Sequence, residues 1–160
     1  MRRFPSGTFG RQRLQFFPAP FKAPLNSFAV LVFAWHEGKV VICQIEDRGW
    51  CIPSGRVEAG ETSCEAAVRE SREEAGIELD RVQYIGCYQI TERREVRWAD
   101  CYAAKVCAIG EIGNKQESLD MKLVTMDELP EIYHLWNPLI ESIFQYSAEV
   151  VERLKDRRCS

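Results

Sequence analysis

The apolar residues fall into blocks, and the spacing inside each block predicts its conformation. SFAVLVFAW (27–35) is almost continuously apolar, as a strand covered on both faces must be. HEGK supplies a turn, and VVICQIE (40–46) reads as the hairpin partner. A short WCIP segment (50–53) then enters a loop that holds two glycines, IPSGRVEAGE (52–61). Apolar runs return in VQYIGCYQIT (82–91) and VRWADCYAAKVCAI (96–109), on either side of the charged turn ERRE. DMKLVTM (120–126) adds a short strand, and DELPEI a helical turn broken by Pro130.

Two segments carry the helical period instead. Thr62 and Glu65 form a T-x-x-E capping box, which starts a helix at about Ser63, and Gly76 is its natural stop. Ala66, Ala67, Val68 and Ala75 give that helix a small apolar face. NPLIESIFQYSAEVVERLK (137–155) repeats apolar positions at 139, 140, 143, 144, 150, 151 and 154, with Ser147 on the same stripe. Asn137 caps this second helix and Pro138 takes its first position. The order β-β-α-β-β-β-α predicts an α/β fold, a mixed sheet with helices on both faces.

Residues 1–26 read differently, as an extended basic and aromatic arm rich in Pro, Phe and Arg. Phe9, Phe16, Phe17 and Phe21 are its candidate anchors. The arm could pack on its own domain, flap over a substrate, or meet a second copy in a homodimer. Residues 27–158 then form a single domain, as a length of 160 residues favours.

Composition narrows the classes. A net charge of −3 argues against a general nucleic-acid binder but leaves a nucleotide pocket open. No run of 18 apolar residues appears, so no membrane span is expected. The seven cysteines form no CxxC pair, and His36 and His134 lie far apart, so a zinc site is not expected. Free thiols and the lack of an apolar secretory leader fit a cytoplasmic protein. The first 26 residues hold five basic residues and no acid, but Pro5, Pro18, Pro20 and Pro24 would break a targeting helix.

The chemistry lies in AVRESREEAGI (67–77). Glu70, Glu73 and Glu74 share one helix face, where like charges repel by about 0.2–0.5 kcal/mol per pair. A charged run is ordinarily a solvated face. Here a glycine loop comes just before the helix, and glycines let main-chain carbonyls approach a ligand closely. A loop carbonyl beside three carboxylates is an all-oxygen donor set of the kind Mg²⁺ or Mn²⁺ prefers, and such a cation would cancel the repulsion.

These residues resemble the Nudix family. Its box is a glycine, five residues, Glu, seven residues, Arg-Glu, an apolar residue, any residue, Glu-Glu, any residue, Gly and an apolar residue. Gly55, Glu61, Arg69, Glu70, Glu73, Glu74, Gly76 and Ile77 stand at those spacings. Seven fixed letters would match by chance about once in 10⁸ starts. Two positions depart from the pattern. Ser71 replaces an apolar residue, and Ser54 stands where glycine is common, although its main-chain carbonyl can still serve as a metal ligand.

The resemblance implies an α/β/α sandwich around a mixed sheet and a metal-dependent hydrolase of a nucleoside diphosphate linked to another group. A MutT-like nucleoside triphosphatase that releases a nucleoside monophosphate is the leading form. It implies Glu70 and Glu74 as principal metal ligands, Glu73 as ligand or general base, Arg69 as the residue that orients the acids, and Gly55 and Glu61 as supporting residues. Arg56 suits a phosphate contact. A further acid often precedes the last strand, where Glu117 is the candidate and Asp120 its competitor. Asn137 is a candidate reader of the base, although helix capping already explains it. Tyr88 and Trp98 are candidate pocket aromatics, although most strand aromatics are core. An ADP-ribose or nucleotide-sugar pyrophosphatase and a non-catalytic nucleotide sensor are the alternatives.

Overall fold

The computed structural model describes residues 2–154. Two strands that the apolar blocks did not announce open it, β1 (Gly7–Phe9) and β2 (Gln12–Pro18). They are followed by β3 (Ala29–His36), β4 (Lys39–Ile45), β5 (Gly49–Cys51) and β6 (Ser54–Arg56). After α1 (Ser63–Ala75) come the long hairpin strands β7 (Ile77–Glu92) and β8 (Glu95–Ile109), then β9 (Ser118–Val124). The chain closes with the short α2 (Leu129–Ile132) and with α3 (Pro138–Leu154). The expected end of the second helix at 155, and of the domain at 158, lie outside the described residues.

Among the described residues these strands make one nine-stranded mixed sheet. Its path is β1-β2-β7-β8-β3-β4-β5, with β6 paired to β3 and β9 to β4. The β3–β8 pair is parallel and the others are antiparallel. β3 shows why its sequence is apolar throughout. Val30, Val32 and Ala34 pack towards α1 with Ala66, Ala67 and Ala75, while Phe33 and Trp35 pack on the opposite face with Phe144 and Ile143 of α3. Side chains alternate along a strand, so a strand with a helix on each face needs apolar residues at every position.

The N-terminal segment packs on its own sheet. β2 pairs with β7 from Arg13↔Thr91 to Pro18↔Gly86, and its alternation sends Leu14 and Phe16 into the α3-side core. Phe17 stacks on Phe21, and both rings lie against Trp98 on the other face. Trp98 is thereby part of the packing, on the opposite face from Tyr88, which pairs its edge with Phe16. The segment is hard to read from its sequence because its strands are short, are joined by the exposed turn at Gly10 and Arg11, and are bounded by Pro5, Pro18, Pro20 and Pro24.

Both helix caps form where the sequence puts them. The Thr62 hydroxyl accepts from the Glu65 N–H while the Glu65 carboxylate accepts from the Thr62 N–H, and Gly76 ends α1 at a φ of 66°. Asn137 Oδ1 accepts from the Ile140 N–H at 2.9 Å. Ser147, polar on an apolar stripe, is fully buried, accepts from Trp35 Nε1–H at 2.9 Å and donates to the Phe144 carbonyl at 2.7 Å.

Ser147→Ala leaves the buried indole N–H without its acceptor. A loss of about 1–3 kcal/mol is expected, seen in thermal unfolding as a fall of roughly 2–4 °C per kcal/mol. An unchanged melting temperature would show that this pair holds nothing together.

Candidate active site

α1 and the loop before it form one acidic unit around a guanidinium. Arg69 donates from Nε and Nη2 to Glu61 at 2.8 and 3.0 Å, and from Nη1 to Glu70 at 2.8 Å and Glu73 at 3.1 Å. Its Nη2 also donates to the Arg56 carbonyl at 2.9 Å, and Glu58 lies 3.7 Å away. The loop is thus tied to the helix through one side chain. The Arg69 contacts and the Glu58 N–H draw the Glu61 carboxyl down to about 2, and Glu61 in turn raises the Arg69 pKa.

Gly55 has a role beyond turn geometry. A Cβ there would sit 2.1 Å from Glu70 Oε1, so only a glycine lets β6 lie directly on that carboxylate. Next to it, the Ser54 N–H donates to Glu74 Oε1 at 2.7 Å. Ser71, the odd residue in the apolar slot, is fully buried and donates to the Ala67 carbonyl at 2.8 Å, so its hydroxyl is satisfied within the helix.

Glu117 is brought to the same corner. The loop 110–117 is fastened to the end of α1 by Gly110 N–H to the Gly76 carbonyl, Gly113 N–H to the Arg72 carbonyl and Asn114 N–H to the Glu73 carbonyl. Ser118 Oγ then donates to the Glu74 carbonyl at 2.5 Å. Burial raises the pKa of both Glu70 and Glu74, and the charge of Glu117 adds to it. Asp120, further along β9, is exposed and accepts from its neighbour's N–H, Met121. Arg56 is exposed beside the cluster. Asn137 lies elsewhere: it caps α3 and its amide abuts Gly7.

The three box glutamates differ in environment. Glu73 is partly exposed on Arg69. Burial lifts Glu70 above the ordinary carboxylate range despite Arg69. Glu74 is 1% exposed, and burial, together with the charges of Glu70 and Glu117, pushes its carboxyl up to about 8 even though the Ser54 N–H pulls the other way. Among the described residues no three His, Cys, Asp or Glu side chains converge as a preformed ion cage. Arg69 holds Glu70 and Glu73, and Glu74 turns to the loop amide. The donors nevertheless fit a hard divalent cation, because they are all oxygen and the most buried carboxyl has charged acids as neighbours and needs a counter-charge to ionise.

A cavity of about 230 Å³ opens beside this unit. Ser54 lines it together with Phe9, Gln12, Leu14, Arg48, Tyr88, Tyr133 and His134 among others. Of these, sequence reasoning singled out Ser54 and Tyr88 as site candidates and Phe9 as an anchor. Arg48 and His134 carry no motif. Only the fold brings the turn after β4 and the segment after α2 to the same place.

The raised Glu74 carboxyl has a measurable consequence. Its folded-state pKa lies above the unfolded value of about 4.5, so its stabilising share is whole below pH 4.5 and is lost as pH rises through about 8. Glu74→Gln removes that loss. In chelator-treated buffer above pH 8 the variant should be more stable than the wild type by on the order of a few kcal/mol, and the gap should close as pH falls to about 4.5. A variant that melts lower at every pH would contradict the assigned environment.

Comparison with known proteins agrees with the geometry. The model of the NUDIX domain matches residues 25–145, well over half of the chain. A Bacillus subtilis (strain 168) protein named "Putative 8-oxo-dGTP diphosphatase YtkD" is 33% identical over 95 residues, 59% of this chain and 58% of that protein. The match therefore spans less than two thirds of that relative's length. Among solved structures, a mutant form of the Bacillus subtilis pyrophosphohydrolase BsRppH superposes with a TM-score of 0.69 at 22% identity, covering 96% of this chain and 97% of that one. A NUDIX hydrolase from Nitrosomonas europaea superposes with a TM-score of 0.63 at 16% identity, covering 79% and 90%. With Arg69, Glu70, Glu73 and Glu74 on α1, Gly55 and Glu61 in the segment before it, and the mixed sheet held between helices as in those structures, the chain belongs to the NUDIX family.

Proposed function

We propose that this chain is a divalent-metal-dependent pyrophosphohydrolase that cleaves a pyrophosphate bond in a nucleoside triphosphate and releases a nucleoside monophosphate. The observation that carries this reading is the acidic unit of Glu70, Glu73 and Glu74 with Glu117 fastened beside it. A nucleotide substrate accords with family membership, and a purine triphosphate with the name of the Bacillus subtilis relative.

In this reading Glu70, Glu74 and the Ser54 carbonyl hold Mg²⁺ or Mn²⁺, with Glu73 and Glu117 as further donors. When bound, such a cation offsets the charge of the anhydride and acidifies the attacking water. Arg69 keeps Glu70 and Glu73 in register with the loop, and Glu61 braces Arg69. Arg56, exposed at the edge of the cluster, takes a phosphate oxygen by a charge-assisted hydrogen bond. Glu73 or Glu117 accepts the proton of the attacking water when it lies within hydrogen-bond reach.

The test is a turnover panel with Mg²⁺ and with Mn²⁺. It spans ordinary and oxidised nucleoside triphosphates, ADP-ribose, nucleotide sugars and dinucleoside polyphosphates. Triphosphates should be the best substrates by kcat/KM, and Glu74→Gln should abolish turnover. No turnover on any member, with a nucleotide still bound, would replace the hydrolase by a sensor.

Gly55→Ala probes the loop separately. The added methyl meets the end of a flexible side chain, so the fold should survive while Glu70 is displaced. A fall in kcat/KM of roughly 10–100-fold with a nearly unchanged melting temperature is expected. Retained activity would mean that Glu70 need not sit against the loop.

A further inference from the structure

The cysteines among the described residues are all free, and two of them are placed as a pair. Cys43 and Cys51 face each other directly across β4 and β5. Residues opposite each other on antiparallel strands send their side chains to the same face, with Cα atoms about 4.5–5.5 Å apart. A disulfide spans Cα separations of about 4.4–6.8 Å, so this pair meets the requirement as it stands. The Cys43 thiol already turns towards its partner and donates to the Cys51 carbonyl at 3.3 Å. Cys87 and Cys101 supply the contrast. They too sit on neighbouring strands, but Cys87 faces Asp100 and Cys101 faces Gly86. That offset of one residue puts their side chains on opposite faces of the sheet.

Both thiols are buried, with Ile45 and Tyr133 packed around them. Access comes from the strand itself. β5 is three residues long and ends the sheet path, and its further neighbour is a single bridge from Trp50 to Tyr133. So short an edge strand opens locally at little cost. The Cys43 thiol, hydrogen-bonded to it, and the Arg48 guanidinium hold the Cys51 thiol below its ordinary pKa against the opposing pull of burial. That same hydrogen bond and burial hold Cys43 above its own. Cys51 is thus the thiol suited to attack an oxidant, and Cys43 the one placed to resolve the product.

We propose that Cys43 and Cys51 form a reversible oxidation site, closed into a cross-strand disulfide by a hydroperoxide. The Cys51 thiolate attacks one oxygen of the O–O bond, which breaks. The sulfur is oxidised to a sulfenic acid, and the other oxygen takes up a proton and leaves as water or an alcohol. The Cys43 sulfur then attacks the Cys51 sulfur, and the sulfenic hydroxyl leaves as water with the Cys43 proton. Two thiols and one hydroperoxide become one disulfide, one water and the reduced hydroperoxide. An added dithiol reverses the bond by exchange. Closure fastens β5, and the chain runs from Cys51 through Ile52 and Pro53 to Ser54, whose N–H holds Glu74. The thiol chemistry stands or falls independently of the hydrolase reading.

The experiment exposes the folded full chain to hydrogen peroxide at neutral pH, unfolds it in an alkylating agent and weighs its tryptic peptides without reduction. Cleavage after Lys39, Arg48 and Arg56 puts Cys43 in 40–48 and Cys51 in 49–56, so only a disulfide joins these peptides. The joined pair should be the main disulfide, and dithiothreitol applied before alkylation should return both thiols. Cys43→Ala should stop at a Cys51 sulfenic acid that a dimedone probe captures, and Cys51→Ala should leave Cys43 a thiol. The wild-type map decides the matter even where either variant fails to fold. Cys43 and Cys51 both alkylated after the exposed Cys64 and Cys107 have been oxidised would overturn the proposal. Equal joining of 82–93 to 98–105, the peptides of Cys87 and Cys101, would overturn it too, because only an unfolded chain brings those sulfurs together.

Discussion

One guanidinium connects the parts of this site. Arg69 reaches the loop through Glu61 and the Arg56 carbonyl, and its own helix through Glu70 and Glu73. Without it, Glu61, Glu70 and Glu73 would repel one another with no shared counter-charge, and the loop after β6 would lose its tie to α1, although β6 itself is also held by β3. A planar fork suits this task better than an ammonium, because several acceptors can be held in different directions at once. The close approach of Gly55 to Glu70 and the Ser54 contact with Glu74 both depend on the loop being held there.

The same unit carries an electrostatic cost. Glu74 is buried beside Glu70 and near Glu117, and its ordinary ionised form is disfavoured in the folded chain. A protein shaped for stability alone would place an apolar residue there. Strong pKa perturbation at a concave site is a physical marker of function, and here the perturbed group sits on the helix face that the sequence had marked by its repulsive spacing.

Much of the fold was legible because local and global signals agree. The capping box at Thr62, the stop at Gly76 and the double-faced apolar run of β3 each dictate one structure. Glu117 was legible only as a candidate, since its place depends on loop amides bonding the last turn of α1. Less was legible where pairing is long-range. The strands β1 and β2 owe their existence to the open edge of β7, which local sequence does not reveal. Trp98 looked like a pocket residue from its strand position, but the face it occupies was settled by Phe17 and Phe21 arriving from 77 residues or more upstream. Arg48 and His134 join the cavity through chain paths that no spacing rule encodes.

The pairing of β2 with β7 also matters beyond the cavity it helps to wall. The long β7–β8 hairpin would otherwise present a row of unsatisfied main-chain groups along residues 86–91. Such an edge recruits other extended chains. β2 occupies it and is itself paired on its outer side by the three-residue β1, so the sheet ends there in a very short strand. Domain boundaries drawn at residue 25 would discard this cover along with Leu14 and Phe16 from the core. One short hairpin thus both covers the β7 edge and supplies Phe9, Gln12 and Leu14 to the cavity wall, two tasks that a cut at residue 25 would remove together.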